Sequence, residues 1–409
     1  MSGERLVIID GVRTPFCKAG TAFARLAADE LGRIAVNALI GRTGVDPRLV
    51  DEVIFGCVAQ PPDAANVARV IALRAGIPES VPAVTVHRNC ASGFEAITQA
   101  HERLVAGRGS VFIVGGTESM SQIPLLFKQS TARKFAALDR AKNLAAKLSA
   151  VSRFRFSDFE PRIGLRLGLT DPVCGLNMGE TAEILAREGR ISREAQDAFA
   201  LKSHVRATEA AAKLSEEICP VYLDGKAITG DNGPRREQSL EQLGRLRPVF
   251  DRKLGTVTAG NSSQITDGAV ALLVMSESRA AELGFTPLGR LSAYAYAGCD
   301  PARMGLGPVF AIRKLEAGSP VRLEDADLIE INEAFAAQML AVLQMLPNVP
   351  RDRLNVNGGS IALGHPVGAT GARLVLTSLK ELARRGGRRA LVSACVGGGQ
   401  GAALWLERD

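Results

Sequence analysis

Two stretches of this sequence run through the same order of parts. In the first, Cys90 and then Gly93 open a helical stretch, a glycine break falls at Gly107–Gly109, and an apolar strand ends at Gly116. In the second, His365 and Gly368 open a helix, the break falls at Gly386–Gly387, and the strand ends at Ala394. Such a repeat predicts two related α/β halves packed about a pseudo-twofold axis. Loops at the carboxyl ends of the strands would then meet in one cleft. That would bring Cys90 and His365 together across 275 positions of sequence.

The stretch around Cys90 reads as a short strand (Ala83 to Val86), a tight bend, and a helix running to about Ala106. Cys90 falls where the bend becomes the helix. Free backbone N–H groups and the positive end of the helix dipole are expected there, favouring thiolate over thiol. Ala91, Ser92 and Gly93 leave room for a reactant to approach the sulfur. Taken alone, such a residue is more often a small core cysteine.

Alternation of strands and helices elsewhere predicts a largely parallel sheet covered on both faces. Strands are expected at Leu6–Asp10, Val53–Gly56, Val111–Gly116, Ala269–Met275, Leu328–Ile331, Arg389–Ala394 and Ala402–Leu406. Residues 121–250 break the rhythm as an inserted helix and loop region. A helix from Leu138 to Val151 is expected there, with Leu138, Ala141, Leu144, Leu148 and Val151 on one stripe. Ser192 reads as the N-cap of another. The expected division is 1–120 as the N-terminal α/β half, 121–250 as the insertion, 251–275 completing the first half, and 276–409 as the C-terminal half.

The net charge of +7 is local: between Phe127 and Thr170 stand ten Lys or Arg against three Asp or Glu, which accounts for all of it. A nucleic-acid surface usually interleaves more aromatics than the three Phe between Phe154 and Phe159, so no nucleic acid is expected. Seven cysteines at irregular spacing, without C-x-x-C, argue against zinc and against a disulfide framework. No metal site is expected. Leu6–Ile9 reads as a first strand, not the apolar run of a signal peptide, and a reducing cytoplasm is the expected location.

Four places now converge on the predicted cleft: Cys90, Asn332, His365 and Cys395. Their motifs are Asn89-Cys90-Ala91-Ser92-Gly93, Asn332-Glu333-Ala334-Phe335, Asn355-x-x-Gly358-Gly359 with Gly364-His365-Pro366, and Cys395-x-Gly397-Gly398-Gly399-x-Gly401. With Gly255-Thr256-Val257-Thr258-Ala259-Gly260-Asn261, these resemble the thiolases over essentially the whole chain. The resemblance implies the thiolase-like fold, two similar βαβαβαββ halves with an inserted helix and loop domain. It also implies cleavage of a 3-ketoacyl-CoA by CoA, or the reverse condensation. By resemblance Cys90 is the nucleophile and His365 its base, while Cys395 moves protons to and from the carbanion. His365 and a water held by Asn332 would form one oxyanion hole, and the backbone N–H groups of Cys90 and Gly397 the other. No cofactor is implied; CoA is a co-substrate.

Ser263, Met178 and Phe335 match residues beside the CoA and acyl chain in thiolases. Gln264 replaces a common glycine, and Asn177 stands where biosynthetic members often carry His. Arg153-Phe154-Arg155-Phe156 and Arg247-Pro248-Val249-Phe250 look like the β-subunits of fatty-acid oxidation trifunctional complexes, which usually have His in place of Asn332. That likeness points to β-oxidation, with a biosynthetic acetoacetyl-CoA thiolase as the alternative and a ketoacyl-synthase-like condensing enzyme as a remote one. Expected partners are 3-ketoacyl-CoA, CoA and acetyl-CoA, and a second copy in a homodimer or homotetramer. A hydratase/dehydrogenase α-subunit and a peripheral membrane contact through 127–170 are further candidates. His87, His101 and His204 are expected on loops or helix surfaces, and Cys17, Cys57, Cys174, Cys219 and Cys299 as small packing residues.

Overall fold

A computed structural model describes residues 4–409. Nine strands build the main path of a ten-stranded sheet: β1 (Leu6–Arg13), β2 (Glu52–Gly56), β3 (Ala83–Val86), β4 (Val111–Glu118), β5 (Thr266–Ser276), β6 (Gly289–Gly298), β7 (Leu328–Ile331), β8 (Arg389–Val396) and β9 (Gln400–Glu407). A two-residue strand, Cys17–Lys18, pairs with the start of β5. The order across the sheet is β7-β8-β9-β6-β1-β5-β4-β2-β3.

From the centre outward one half runs β1-β5-β4-β2-β3 and the other β6-β9-β8-β7. The first three steps outward match, two antiparallel and then one parallel, as the expected repeat requires, and β3 is an added edge strand of the first half. The halves join antiparallel, through Val7 opposite Arg290 and Ile8 opposite Gly289. The sheet is mixed, not largely parallel as the alternation suggested. β2 is parallel to both β3 and β4, and β7 to β8, but every other neighbouring pair is antiparallel. The physical reason is that β8 and β9 form a hairpin, which needs no crossover helix.

The alternation of side chains along the strands sorts them into three cores. Ile8, Ile54, Val114, Leu272, Val392 and Leu404 point inward onto two central helices, α3 (Ser92–Val105) and α8 (Val367–Arg385). Val7, Val53, Phe55, Ile113 and Leu273 point the other way, onto α1 (Ala28–Thr43) and α2 (Val67–Arg74). In the second half Ile329, Leu391 and Trp405 face α6 (Gly307–Gly318) and α7 (Ala336–Met345). The result is five layers, helices alternating with the two halves of the sheet. Two more helices, α4 (Met178–Glu188) and α5 (Arg193–Glu209), belong to this large unit. Asn177 and Ser192 cap them through their side chains, the latter as expected.

By internal contacts the residues up to Gln122 with Asp171–Asp409 make one unit and Ile123–Thr170 another. The small unit takes in only 123–170 of the expected 121–250 insertion. It holds a short hairpin, Leu125–Leu126 with Arg162–Ile163, and an aromatic cluster in which Phe154 stacks on Phe159 at 5.6 Å and meets Phe135 at 4.9 Å. The single helix expected from Leu138 to Val151 is two helices, Gln129–Asp139 and Leu144–Val151. Asn143 breaks it: its backbone is extended and its side chain accepts the Ala146 N–H, starting a new helix. The stripe of Leu144, Leu148 and Val151 is exposed, not packed away.

The central helices touch through glycines at their N-terminal turns. A Cβ on Gly93 would lie 2.6 Å from the backbone nitrogen of Ala372, and one on Gly371 would lie 2.5 Å from that of Phe94. Backbone cannot yield as a flexible side chain can, so Gly371→Ala should destabilise the protein by about 1–3 kcal/mol. Gly41 sits on the exposed face of helix α1 with nothing near its missing Cβ. There the same change should stabilise by about 0.5–1 kcal/mol. Urea midpoints of the two variants, measured side by side, should therefore move in opposite directions.

Candidate active site

The bend before α3 is held in place by its own polar groups. Asn89 adopts a left-handed backbone, φ 43°, which Asn tolerates better than most residues. Its carbonyl accepts the N–H and hydroxyl of Ser92. Its side-chain amide donates to the carbonyl of Gly397 at 2.8 Å. That bond ties the Cys90 loop of the first half to the glycine turn between β8 and β9 of the second. The backbone N–H groups of Gly397 and Cys90 both converge on the Cys90 sulfur.

Cys90 nevertheless departs from the thiolate expectation. Burial pushes its thiol up, and the two amides only partly offset this. The resting residue is a thiol and needs a base. Cys395 is fully buried near the end of β8, and its thiol is pushed well up by burial and then by negative charge on Cys90. The two sulfurs therefore lie close enough to feel each other's charge.

His365 is buried and fixed on both sides of its ring. Gly364 before it has φ 99°, and a Cβ there would strike Thr266, so only glycine fits. The Thr370 hydroxyl donates to the Pro366 carbonyl at 3.0 Å and so must accept from His365 Nδ1, 2.6 Å away. This leaves Nε2 without a proton. The Asn332 Nδ2 group lies 3.4 Å from it and donates toward it. The Ser360 hydroxyl donates to Asn332 Oδ1 at 2.6 Å, which fixes the amide's orientation, and Arg373 reaches Ser360 in turn. Burial, then the positive charge of Arg373, hold His365 down to about 4. Asn332 does not cap the helix that follows it. Helix α7 starts at Ala336 after Phe335, whose side chain makes no capping bond, and the Asn332 amide is committed to Ser360 and His365.

The remaining expected residues gather near Cys395. Phe335 and Met178 share an apolar cluster with it, together with Phe250 and Val257. The Met178 sulfur lies 3.3 Å from where a Cβ on Gly397 would stand, so a side chain there would press on it. Ser263 donates its N–H to the Ala334 carbonyl at 2.9 Å, beside Phe335. Gln264, the departure from glycine, donates to the carbonyls of Gly233, Ile361 and Ala362.

Several residues of the site escaped the sequence reading. Glu118, at the end of β4, is buried and accepts the N–H groups of Val58, Ala59 and Gly368. It thereby anchors the first turn of α8, three residues after His365. Glu333 accepts from Ser203, Asn355 and the Ile361 N–H, and a Cβ on Gly359 would collide with it. Its place in Asn332-Glu333-Ala334-Phe335 was the signal. Ser360, Thr370 and Arg373 carried none beyond lying near His365. His204 is not on a surface; it is buried and accepts the Arg235 N–H, and burial pushes it down to about 4. His87 lies on an exposed loop, and His101 on α3 meets Tyr294 edge-on.

The family models for the thiolase N-terminal and C-terminal domains match residues 6–278 and 285–408. The chain belongs to the thiolase family. Among curated relatives, the 3-ketoacyl-CoA thiolase of Pectobacterium carotovorum subsp. carotovorum is 42% identical, over 99% of this chain and 97% of its own. That of Yersinia enterocolitica is 41% identical with the same coverage. Among solved structures, the acetyl-CoA acetyltransferase of Bacillus anthracis superposes with a TM-score of 0.89 at 40% identity. Human mitochondrial 3-ketoacyl-CoA thiolase in complex with CoA does so with 0.89 at 38%. Both alignments cover 99% of this chain and 98% of the other. This thiolase thus has the thiolase fold and is an acyltransferase. Among the described residues no helix is long and apolar enough to cross a membrane, and no group of His, Cys, Asp and Glu is arranged to hold a metal.

The state of His365 sets a pH signature for this thiolase. An imidazole held down to about 4 stays an available base well below the ordinary histidine value of about 6.5. Alkylation of Cys90 by iodoacetamide, with the proton passing to His365, should hold one rate from about pH 8 to about pH 5. It should fall only as His365 takes up a proton near pH 4. In His365→Asn the plateau should vanish and the rate climb with pH toward the raised Cys90 value. A wild-type fall centred near 6.5 would contradict this reading.

Proposed function

We propose that this thiolase cleaves 3-ketoacyl-CoA with CoA, giving acetyl-CoA and an acyl-CoA two carbons shorter, as a degradative enzyme of fatty-acid β-oxidation. The observation that carries the reading is the sharing of one site by two thiols, Cys90 partly exposed and Cys395 buried, with the Gly397 and Cys90 amides aimed at the first sulfur. Likeness to named 3-ketoacyl-CoA thiolases supports the substrate class.

In the proposed cycle, His365 Nε2 takes the Cys90 proton and the thiolate attacks the 3-keto carbon. The alkoxide is held by the Cys90 and Gly397 N–H groups. Its collapse breaks the bond between carbons 2 and 3 and leaves the acyl group on Cys90. The departing enolate of acetyl-CoA is stabilised by His365 and a water on Asn332, and takes its proton from Cys395. The Cys395 thiolate then takes the proton of an incoming CoA thiol. That sulfur attacks the acyl carbon, and Cys90 leaves and recovers its proton from His365. Protons balance over the cycle, and no cofactor is needed beyond CoA as co-substrate. Ser263, Met178 and Phe335 line the path for pantetheine and acyl chain in this reading.

The biosynthetic direction is the second reading, favoured by the likeness to an acetyl-CoA acetyltransferase. Thiolysis rates along a 3-ketoacyl-CoA series from four carbons to sixteen separate the two. A homodimer or homotetramer is part of the proposal: β3 ends the sheet with all four residues half-exposed and one edge unpaired, a template for another strand. All seven cysteines are free, in keeping with a reducing cytoplasm.

Two variants test the division of labour. Cys90→Ala should lose the one-acyl mass increment on its peptide after brief exposure to acyl-CoA, and activity by several orders of magnitude. Cys395→Ala should still acylate at Cys90, more slowly, yet fail to exchange the α-protons of acetyl-CoA with deuterium. Exchange at the wild-type rate in Cys395→Ala would give the proton transfer to another residue.

The basic unit 123–170 supports a weak membrane contact. Leu144 and Leu148 are 73% and 62% exposed and Phe156 is 99% exposed, amid ten Lys or Arg. Near an anionic surface each such cation contributes about 1 kcal/mol. The protein should therefore pellet with anionic vesicles at low salt and release at high salt, and lose this on changing Lys147, Arg153 and Arg155 to Glu. A supernatant protein at low salt leaves these side chains for a subunit or α-subunit contact.

A further inference from the structure

A cavity of about 240 Å³ opens beside α5, lined by none of the residues of the proposed catalytic cycle. Its polar wall is cationic. Lys202 and Arg206 lie one turn apart on α5, on the same face, and Arg351 reaches in from the loop after α7. Arg206 is anchored by donating to the carbonyls of Leu354, Asn355 and Arg351, and Arg351 by donating to that of Leu343. The two guanidinium groups are thus held in place by backbone. None of the three cations forms a salt bridge among the described residues.

One carboxylate, Glu333, also lines the cavity. It is buried, and its oxygens already accept from Ser203, Asn355 and the Ile361 N–H. Its charge offsets Arg206 in part, yet against one carboxylate the three cations leave a surplus of positive charge. The Lys202 pKa is lowered, by partial desolvation first and then by the charges of Arg206 and Arg351. The other wall is apolar, formed by Phe199, Leu340, Leu343 and Leu354.

These features select a ligand. Three cations facing one carboxylate call for an anion. The nearby Glu333 disfavours a multiply charged head, and the apolar wall calls for a hydrocarbon part. At roughly 30 Å³ per water in the liquid, the volume is that of roughly eight waters, enough for a short chain only. We propose that this cavity binds a small amphipathic carboxylate, its head on Lys202, Arg206 and Arg351 and its chain against Phe199, Leu340 and Leu343. The inference rests on the cavity alone and does not depend on the reaction proposed above.

The test is calorimetric titration of the full-length protein with sodium hexanoate at low ionic strength. Saturable binding to one site is expected, at least tenfold weaker in the double variant Lys202→Gln with Arg351→Gln. Both side chains are exposed, so the variant should fold, and an unchanged thermal melt confirms it. Hexanol lacks the head and inorganic phosphate lacks the chain; each should bind at least tenfold more weakly than hexanoate. Hexanoate held in the catalytic cleft instead would bind the double variant as tightly as the wild type. That result overturns the proposal, as does absence of saturable binding or phosphate binding as tight as hexanoate.

Discussion

The structure depends on the close approach of two helix N-termini at the centre of the molecule. Gly93 and Gly371 let α3 and α8 meet backbone to backbone, and no other residue type allows that separation. Each helix follows a loop that carries chemistry, Cys90 before one and His365 before the other. The contact therefore does more than pack the core. It sets how near the Cys90 loop comes to the His365 loop. Glu118 reinforces the same junction by accepting the Gly368 N–H, and Asn89 does so from the other side through the Gly397 carbonyl.

Around that junction the electrostatics work by burial more than by helix dipoles. Cys90 stands at the start of a helix, yet desolvation outweighs the local N–H groups and keeps it protonated. His365 is driven toward its neutral form by burial and by Arg373. Arg373 is paired at 3.3 Å with Glu330, both 1% exposed, and burial raises Glu330 to about 8. A buried pair of this kind is poor as a source of stability, since desolvation opposes the attraction. Here it places a fixed positive charge behind the Ser360–Asn332–His365 chain. The same field that disfavours imidazolium favours negative charge developing nearby, which suits an enolate.

Much of this was legible in the sequence, and the reasons differ by element. The repeat was visible because glycines punctuate both halves at matching places, and it led to the two-half sheet. Cys90, His365, Asn332 and Cys395 stood out because their motifs pack several unusual residues into few positions. Strand β6 was missed although it lies at the centre of the sheet. Its Leu-Ser-Ala-Tyr-Ala-Tyr-Ala-Gly run has few of the large apolar residues that mark a buried strand, and most of it is only partly buried. The thiolate expectation at Cys90 failed because helix position is local, whereas desolvation is set by tertiary packing. Ser360 and Thr370 were silent for a related reason: a hydroxyl's partner is settled by tertiary contact, not by spacing.

The seam between the halves has a consequence for a chain made from its N-terminus. Cys90 lies in the first quarter of the sequence, whereas Asn332, His365 and the Gly397 amide all come from the last. Until that last quarter has folded back, the nascent first half carries an ordinary cysteine with no base beside it. The Cys90 sulfur meets the Gly397 amide only once that last quarter is in place. Splitting these groups between two halves thus makes their meeting depend on both halves having folded.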